Sequence, residues 1–302
     1  MKISYYPGCT LKTRAQNLEA SALAALEKLG VECEELPRWN CCGAVYSLTA
    51  DDLIHIVAPV RDLIRVKQSG HDKVMTLCAM CYNTLARANE LMKNDEEKRK
   101  TINDFMDEEP DYAGEVKVYH LLDWLRDELG WDKLKEKVVN PLKGLKVAPY
   151  YGCTLLRPKD VAIDSPERPT VLHEFLETLG AEVIDFPSAI QCCGTYQVLG
   201  NPEAALDVSH SILDDATRHG SEAMALACPL CDYNLGKKQD AMLNKFDGMS
   251  ELPIYYFTQL LAIALGTAED ELHFELNREA AAELLKKKDL IKGVKTIRIN
   301  IT

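Results

Sequence analysis

The sequence predicts an α/β fold of two tandem, pseudo-symmetric domains. Each is a small parallel sheet flanked by helices, with cysteines at the strand carboxyl ends. Three observations predict it. Short apolar runs alternate with longer amphipathic ones, the order that gives parallel strands joined by helical crossovers. The whole series occurs twice along the 302 residues. Gly- and Pro-bearing turns that carry cysteine follow the apolar runs, where an open parallel sheet presents its ligand crevice.

Taken in order, residues 2–6 read as the first strand. Residues 14–29 read as a helix, with Leu18, Ala22, Ala25, Leu26 and Leu29 on one face at helical spacing. A strand follows at 31–36, a helix over about 50–68, a strand at 73–77, a helix from about 82, a strand at 116–119 and a helix at 121–129. The charged stretch "NDEEKRKTINDFMDEEPDYAGE" reads as a solvated helix end and loop. In the second half, strands are expected near 146–150, 182–186, 223–227 and 254–257, with helices between them.

The repeat is legible in words as well as in period. "YYPGCTL" answers "YYGCTLL", "LEKLGVECEELP" answers "LETLGAEVIDFP", and "VKVYHLLDWL" answers "LPIYYFTQLL". A unit of about 145–150 residues is a duplicated domain, because solenoid units are far shorter. The boundary falls near "NPLKGLK", giving domains 1–143 and 144–302, the second with a C-terminal extension.

Composition narrows the function classes. A hydrophobic share of 47% supports real cores. With 35 basic against 47 acidic residues the net charge is −12, which argues against nucleic acid as a partner. There is no apolar run long enough to cross a membrane, and the "MKISYYPGCT" start lacks the apolar core of a signal peptide. The expectation is a cytoplasmic protein that meets a membrane only through a partner. No GxGxxG occurs, so no NAD or flavin is expected in this chain.

Eleven cysteines in a reducing compartment point to metal or redox chemistry rather than to structural disulfides. Ten of them form two series: Cys9, Cys41, Cys42, Cys78, Cys81, and Cys153, Cys192, Cys193, Cys228, Cys231. Each is a lone cysteine, an adjacent pair followed by glycine, then CxxC. All five should converge at one sheet edge, with Gly43 and Gly194 letting the backbone pass close to a bulky ligand. Structural zinc takes four ligands and leaves one cysteine over, twice. A catalytic dithiol needs only one CxxC. Iron–sulfur ligation uses several thiolates and fits the pattern best, while zinc and redox thiols remain open on spacing alone.

This lone-Cys, CCG, CxxC pattern resembles the CCG cysteine-rich domain family, in two complete copies that span nearly the whole chain. Within that family the chain looks most like the heterodisulfide reductase B subunits of methanogenic archaea. The resemblance implies two noncubane [4Fe-4S] clusters, each held by the five cysteines of one series. It also implies reduction of the coenzyme M–coenzyme B heterodisulfide. The implied partners are a ferredoxin-like iron–sulfur subunit and a flavoprotein subunit, with a hydrogenase or formate dehydrogenase upstream. A CCG-type electron-transfer subunit of an organic-acid dehydrogenase (succinate/fumarate, lactate, glycolate) is the alternative, and a zinc-binding interaction protein a third. "CAMC" stands where the second half has "CPLC"; both keep the two cysteines.

Four cations follow the lone cysteines: Lys12 and Arg14, Arg157 and Lys159. They are candidates to bind substrate anions, set against an equally simple reading as solvated helix starts. Cys33, inside a strand, reads as a buried thiol, and the seven histidines read as surface or core residues. The basic C-terminal stretch "LLKKKDLIKGVKTIRINIT" reads as a partner contact or a sheet-edge extension.

Overall fold

Two four-stranded sheets, parallel throughout, carry the cysteines of the two halves. The computed structural model describes residues 1–44 and 53–292. The first sheet is built from β1 (Lys2–Tyr6), β2 (Glu32–Glu35), β3 (Lys73–Thr76) and β4 (Lys117–His120), in the order β2-β1-β3-β4. The second has β5 (Lys146–Pro149), β6 (Glu182–Val183), β7 (Ala223–Leu226) and β8 (Ile254–Tyr256), in the matching order β6-β5-β7-β8. The α/β class and the duplication are as the sequence predicts.

The strands that lie inside each sheet are apolar because helices cover both faces. All four residues of β7 are buried, as are the last four of β1. The edge strand β2 is "ECEE" and largely exposed, and its charges blunt an otherwise pairable edge. Strand order reverses between β1 and β3, and again between β5 and β7. Those reversals open a crevice beyond the strand carboxyl ends.

The helices of the first half are α1 (Gln16–Lys28), α2 (Ile54–Gln68), α3 (Ala79–Asn94), α4 (Glu96–Phe105), α5 (Leu121–Trp124) and α6 (Trp131–Lys137). The second half has α7 (Val171–Thr178), α8 (Pro202–Arg218), α9 (Pro229–Cys231), α10 (Gln239–Lys245), α11 (Phe257–Ala264) and α12 (Glu279–Lys287). Helix α5 runs on as a π-helix over Leu125–Leu129, and α9 does the same over Asp232–Lys237.

Several boundaries differ from the sequence-based expectation. The helix expected from about 82 begins at Ala79, so the CxxC lies on its first turn with Cys78 as N-cap. The strand expected over 182–186 pairs only at Glu182 and Val183, because Pro187, which has no N–H, opens a 3₁₀ turn there. The charged stretch contains a separate helix, α4, begun by Asp95, whose side chain accepts the Lys98 N–H. The start of the helix expected over 50–68 lies partly outside the described residues, as do residues 293–302 of the basic C-terminal stretch.

The two halves share one apolar core. Helix α1 lies against α11, and α5 against α7, a pseudo-symmetric pair of contacts. Polar bonds cross the seam. Ser21 Oγ lies 2.7 Å from Thr258 Oγ1, and Asn17 Nδ2 donates to Asn277 Oδ1 at 2.9 Å. The Ala79 N–H donates to Ala227 O at 3.0 Å, which ties the end of one sheet to the end of the other.

Candidate metal centre

Each cysteine reaches the seam from a predictable place. Cys9 follows β1, Cys41 and Cys42 follow β2, and Cys78 and Cys81 begin α3 beyond β3. The second half repeats this with Cys153 after β5, Cys192 and Cys193 after β6, and Cys228 and Cys231 at α9 beyond β7. Helix N-termini favour thiolate through their unpaired N–H groups.

The ten sulfurs lie in one unbroken row. Cys9 and Cys41 have Sγ atoms 3.8 Å apart, and Cys42 and Cys81 3.6 Å. Cys41 also bonds Cys42, and Cys81 bonds Cys78. Cys78, a free thiol, then interacts with Cys228 across the seam as a hydrogen-bonding neighbour. Beyond it Cys228 bonds Cys231, Cys231 and Cys193 lie 3.6 Å apart, Cys193 bonds Cys192, and Cys192 bonds Cys153. The order is palindromic about the Cys78–Cys228 link. Cys33 is outside the row, half-buried on β2, its thiol pushed up to about 11 by burial.

Three of the ten have their pKa lowered by hydrogen bonds from neighbouring thiols. Cys42 is lowered by bonds from Cys41 and then Cys81, Cys228 by Cys231 and then Cys78. Cys192 is lowered to about 2 by Cys153 and then Cys193. The thiols that give those bonds move the other way: Cys41 and Cys153 are raised, and Cys193 is raised to about 11. Backbone N–H groups also point at sulfur, from Gly43 to Cys41, Ala44 to Cys42, and Gly194 and Thr195 to Cys192. The rim is open and the interior closed. Cys9 and Cys41 are exposed, Cys153 and Cys192 half-buried, and the other six of the row buried.

A row of soft thiols, six of them buried, with backbone N–H donors fits iron–sulfur ligation, since such clusters spread several thiolate ligands over several irons. The sulfurs meet pairwise along the row. Among the described residues, no group of three or more His, Cys, Asp or Glu side chains gathers around a single metal-ion position.

Glycine shapes both sites. Gly8 has φ +74°, and a Cβ there would stand 2.8 Å from Cys81 Sγ, so the turn of the lone cysteine lies directly against the CxxC sulfur. Gly43 and Gly194 also have positive φ, +73° and +85°. At Gly194 the close neighbour is helix α8: a Cβ would be 2.9 Å from Ala205 Cα. Of the four candidate cations, Lys12 is paired with Glu19 and Glu35, each at 2.7 Å. Arg157 donates to Ile190 O at 3.0 Å. Arg14 and Lys159 are exposed and have no polar partner among the described residues.

Sequence reasoning passed over the residues that hold the thiols. Tyr6 donates to Asn40 O at 2.7 Å and Tyr150 to Gln191 O at 2.7 Å, each fixing the residue before an adjacent cysteine pair. Asn83 donates from Nδ2 to Thr154 O and Arg157 O, both at 2.8 Å, and so carries the turn after Cys153 on a helix of the other half. Thr84 and Asn234 bond Cys42 and Cys193. His120 is fully buried; its Nδ1 accepts the Leu122 N–H at 3.2 Å, which leaves Nε2–H to donate to Leu77 O at 3.0 Å. Burial holds its pKa down at about 4, so it is neutral. The tyrosines were visible in the repeated "YY"; the helical spacing of Thr84 and Asn234 after each CxxC was the remaining signal.

A family model described as "Cysteine-rich domain" (CCG) matches residues 3–86 and 147–236. The chain is 32% identical to the B subunit of the ferredoxin/F(420)H(2)-dependent CoB-CoM heterodisulfide reductase of Methanosarcina acetivorans, over 95% of this chain and 96% of that protein. It is 31% identical to the 8-methylmenaquinol:fumarate reductase membrane anchor subunit of Wolinella succinogenes, over 94% of this chain and 99% of that one. No helix of the described residues is long and apolar enough to cross a membrane. Among solved structures, a hypothetical protein from Helicobacter pylori superposes with a TM-score of 0.73 at 14% identity, covering 91% of this chain and 51% of that chain. At that identity the likeness concerns the fold.

Proposed function

This chain belongs to the CCG cysteine-rich domain family, and from that premise we propose that it is the disulfide-reducing subunit of a multi-subunit electron-transfer complex. The proposed substrate is the coenzyme M–coenzyme B heterodisulfide, and the proposed ligands are the five row cysteines of each half, holding one noncubane [4Fe-4S] cluster apiece. The observation that carries the reading is the unbroken palindromic row, joined across the seam by Cys78 and Cys228. Cleaving a disulfide to two thiols takes two electrons and two protons, and two adjacent one-electron sites in one shared core would match the electron demand. When bound, the clusters would supply the electrons and an iron to hold each released sulfur.

The chain's own residues do the rest. The buried cysteines exclude water from the centre of the row, while the exposed Cys9 and Cys41 leave a side open to substrate. Tyr6, Tyr150 and Asn83 hold the cysteine turns in register. Arg14, Arg157 and Lys159, exposed and a few residues beyond the lone cysteines in sequence, are the proposed contacts for substrate anions. Lys12, already neutralised by two carboxylates, contributes less. We assign the split at 143/144 to the two sites, cytoplasmic placement to the complex, and electron supply to a ferredoxin-like and a flavoprotein subunit, fed by a hydrogenase or formate dehydrogenase.

The similarity to a fumarate reductase subunit favours a second reading, in which the same row relays electrons without a substrate of its own. One set of measurements separates the readings. Protein purified without oxygen is assayed for iron and sulfide, then given the heterodisulfide and a reduced viologen while thiols are counted. Two thiols per disulfide support the proposal. Iron-loaded protein that leaves the disulfide intact supports the relay. Colourless, zinc-loaded protein sinks both. Cys42→Ser and Cys193→Ser should each cost iron, and Cys33→Ser should cost none.

A further inference from the structure

The palindrome is complete in its cysteines and broken in the side chains that bond them. In the second half, Cys193 Sγ lies 3.0 Å from Thr195 Oγ1 and 3.6 Å from Asn234 Nδ2. Asn234 is buried, and its amide also donates to Cys193 O at 2.9 Å, as does the buried Ser209 hydroxyl at 3.0 Å. In the first half, Ala44 stands where Thr195 does and brings no hydroxyl. Thr84 stands where Asn234 does and also bonds its cysteine, but its single proton is shared with Met80 O at 3.0 Å. Among the described residues, then, Cys193 has two side-chain donors, Thr195 and Asn234, and Cys42 has one, Thr84, whose proton is shared with a carbonyl.

Donors aimed at a ligating sulfur stabilise the more negative, reduced form of a cluster and raise its potential. Resting on the iron–sulfur reading above, we propose that Asn234 and Thr195 set the second-half site to the higher reduction potential, so that it takes the first electron and the first-half site the second. Solvent works the other way, because Cys9 and Cys41 are exposed while Cys153 and Cys192 are only partly so. The donors win because Cys193 and Asn234 are buried, where low dielectric strengthens a hydrogen bond. A rim cysteine in water gains little from further solvation.

The consequence is directional. A reductant delivering single electrons fills the second half first, and the pair is complete only when the first half follows. Asn234 and Thr195 are positioning residues here: they act on the site through the Cys193 sulfur.

The test is an EPR-monitored reductive titration of the full chain, purified without oxygen, with dithionite as titrant and iron content measured on every variant. The parent should show two midpoints. Asn234→Leu, close to isosteric and without a donor, should lower only the upper midpoint, and Thr195→Val should do the same. Thr195→Ser keeps the hydroxyl and should restore the parent value. Ala44→Thr supplies the missing hydroxyl to the first half and should raise only the lower midpoint. If Asn234→Leu fails to load iron, Thr195→Val and Ala44→Thr still decide the matter. Midpoints unmoved in iron-replete Thr195→Val and Ala44→Thr, or a shift confined to the lower midpoint in Thr195→Val, overturn the assignment. Absence of iron from the parent chain instead overturns the reading it rests on.

Discussion

A tyrosine hydroxyl decides where each adjacent cysteine pair sits. Tyr6 and Tyr150 are fully buried and bond the carbonyls of Asn40 and Gln191, one residue before the pairs. Removing either hydroxyl leaves a carbonyl without its partner at a cost of about 0.5–1.5 kcal/mol. Tyr6→Phe and Tyr150→Phe should therefore lower stability modestly in denaturant melts, and each should reduce iron loading of its own half only. Equal loss from both halves would show that the bond does not act locally. A second residue, Asp123, gives a pH dependence. It is buried, and burial first, then the neighbouring Asp127 charge, raises its pKa to about 8. An acid raised in the folded state binds its proton more tightly there than in the unfolded chain, where the pKa is about 3.9. Its contribution to stability is full below about pH 4 and is lost as the pH rises through about 8. Asp123→Asn should flatten that decline, which unfolding curves at pH 5 and pH 9 would measure. If the parent and the variant decline alike over that interval, Asp123 is not the source.

At the scale of an element, the turn after each pair is judged by the helix behind it. Gly194 combines φ +85° with a Cβ position 2.9 Å from Ala205 Cα on α8. Gly43 has φ +73°, but its Cβ would stand 3.5 Å from the His55 carbonyl, an ordinary contact. The backbone conformation alone costs alanine about 1–2 kcal/mol. Gly43→Ala should lose about that much, while Gly194→Ala should lose clearly more, because α8 must also give way. Equal losses in chemical denaturation would mean that α8 yields freely. The CxxC helices show the same dependence on neighbours. Pro229 stands at the first position of α9, where its missing N–H costs nothing, and Ala79 fills that place in α3.

At the scale of the molecule the duplicated halves share one apolar core and should therefore unfold together. Helices α1 and α11 meet along a seam that holds the buried Asn17, Ser21, Thr258 and Gln259. Cutting that seam would expose apolar surface from both halves and strand those polar groups. Calorimetry should show a single transition with matching calorimetric and van't Hoff enthalpies. Asn17→Ala, which deprives Asn277 of a donor, should lower that one transition as a whole. Two separated transitions, with only one moved by Asn17→Ala, would show that the halves fold independently.

The sequence by itself determined the α/β class, the duplication and the family, because each is written locally. Alternating β-rich and amphipathic runs specify strands and crossovers, and the lone-Cys, CCG, CxxC series repeats in plain order. It also marked Cys33 as a cysteine apart, since that position has no counterpart in the second series. What it did not contain was the meeting of Cys78 with Cys228, or the reach of Asn83 from α3 to the turn after Cys153. Those contacts join residues that are remote along the chain, and no local period records them. The packing of α1 on α11, of α5 and α6 on α7, and of α3 on the Lys159–Val161 turn sets the two halves against each other. The same packing decides which polar side chains end beside a sulfur. Thr84 and Asn234 share a place on their helices, and the proton each has left to give depends on the carbonyls that folding sets within its reach.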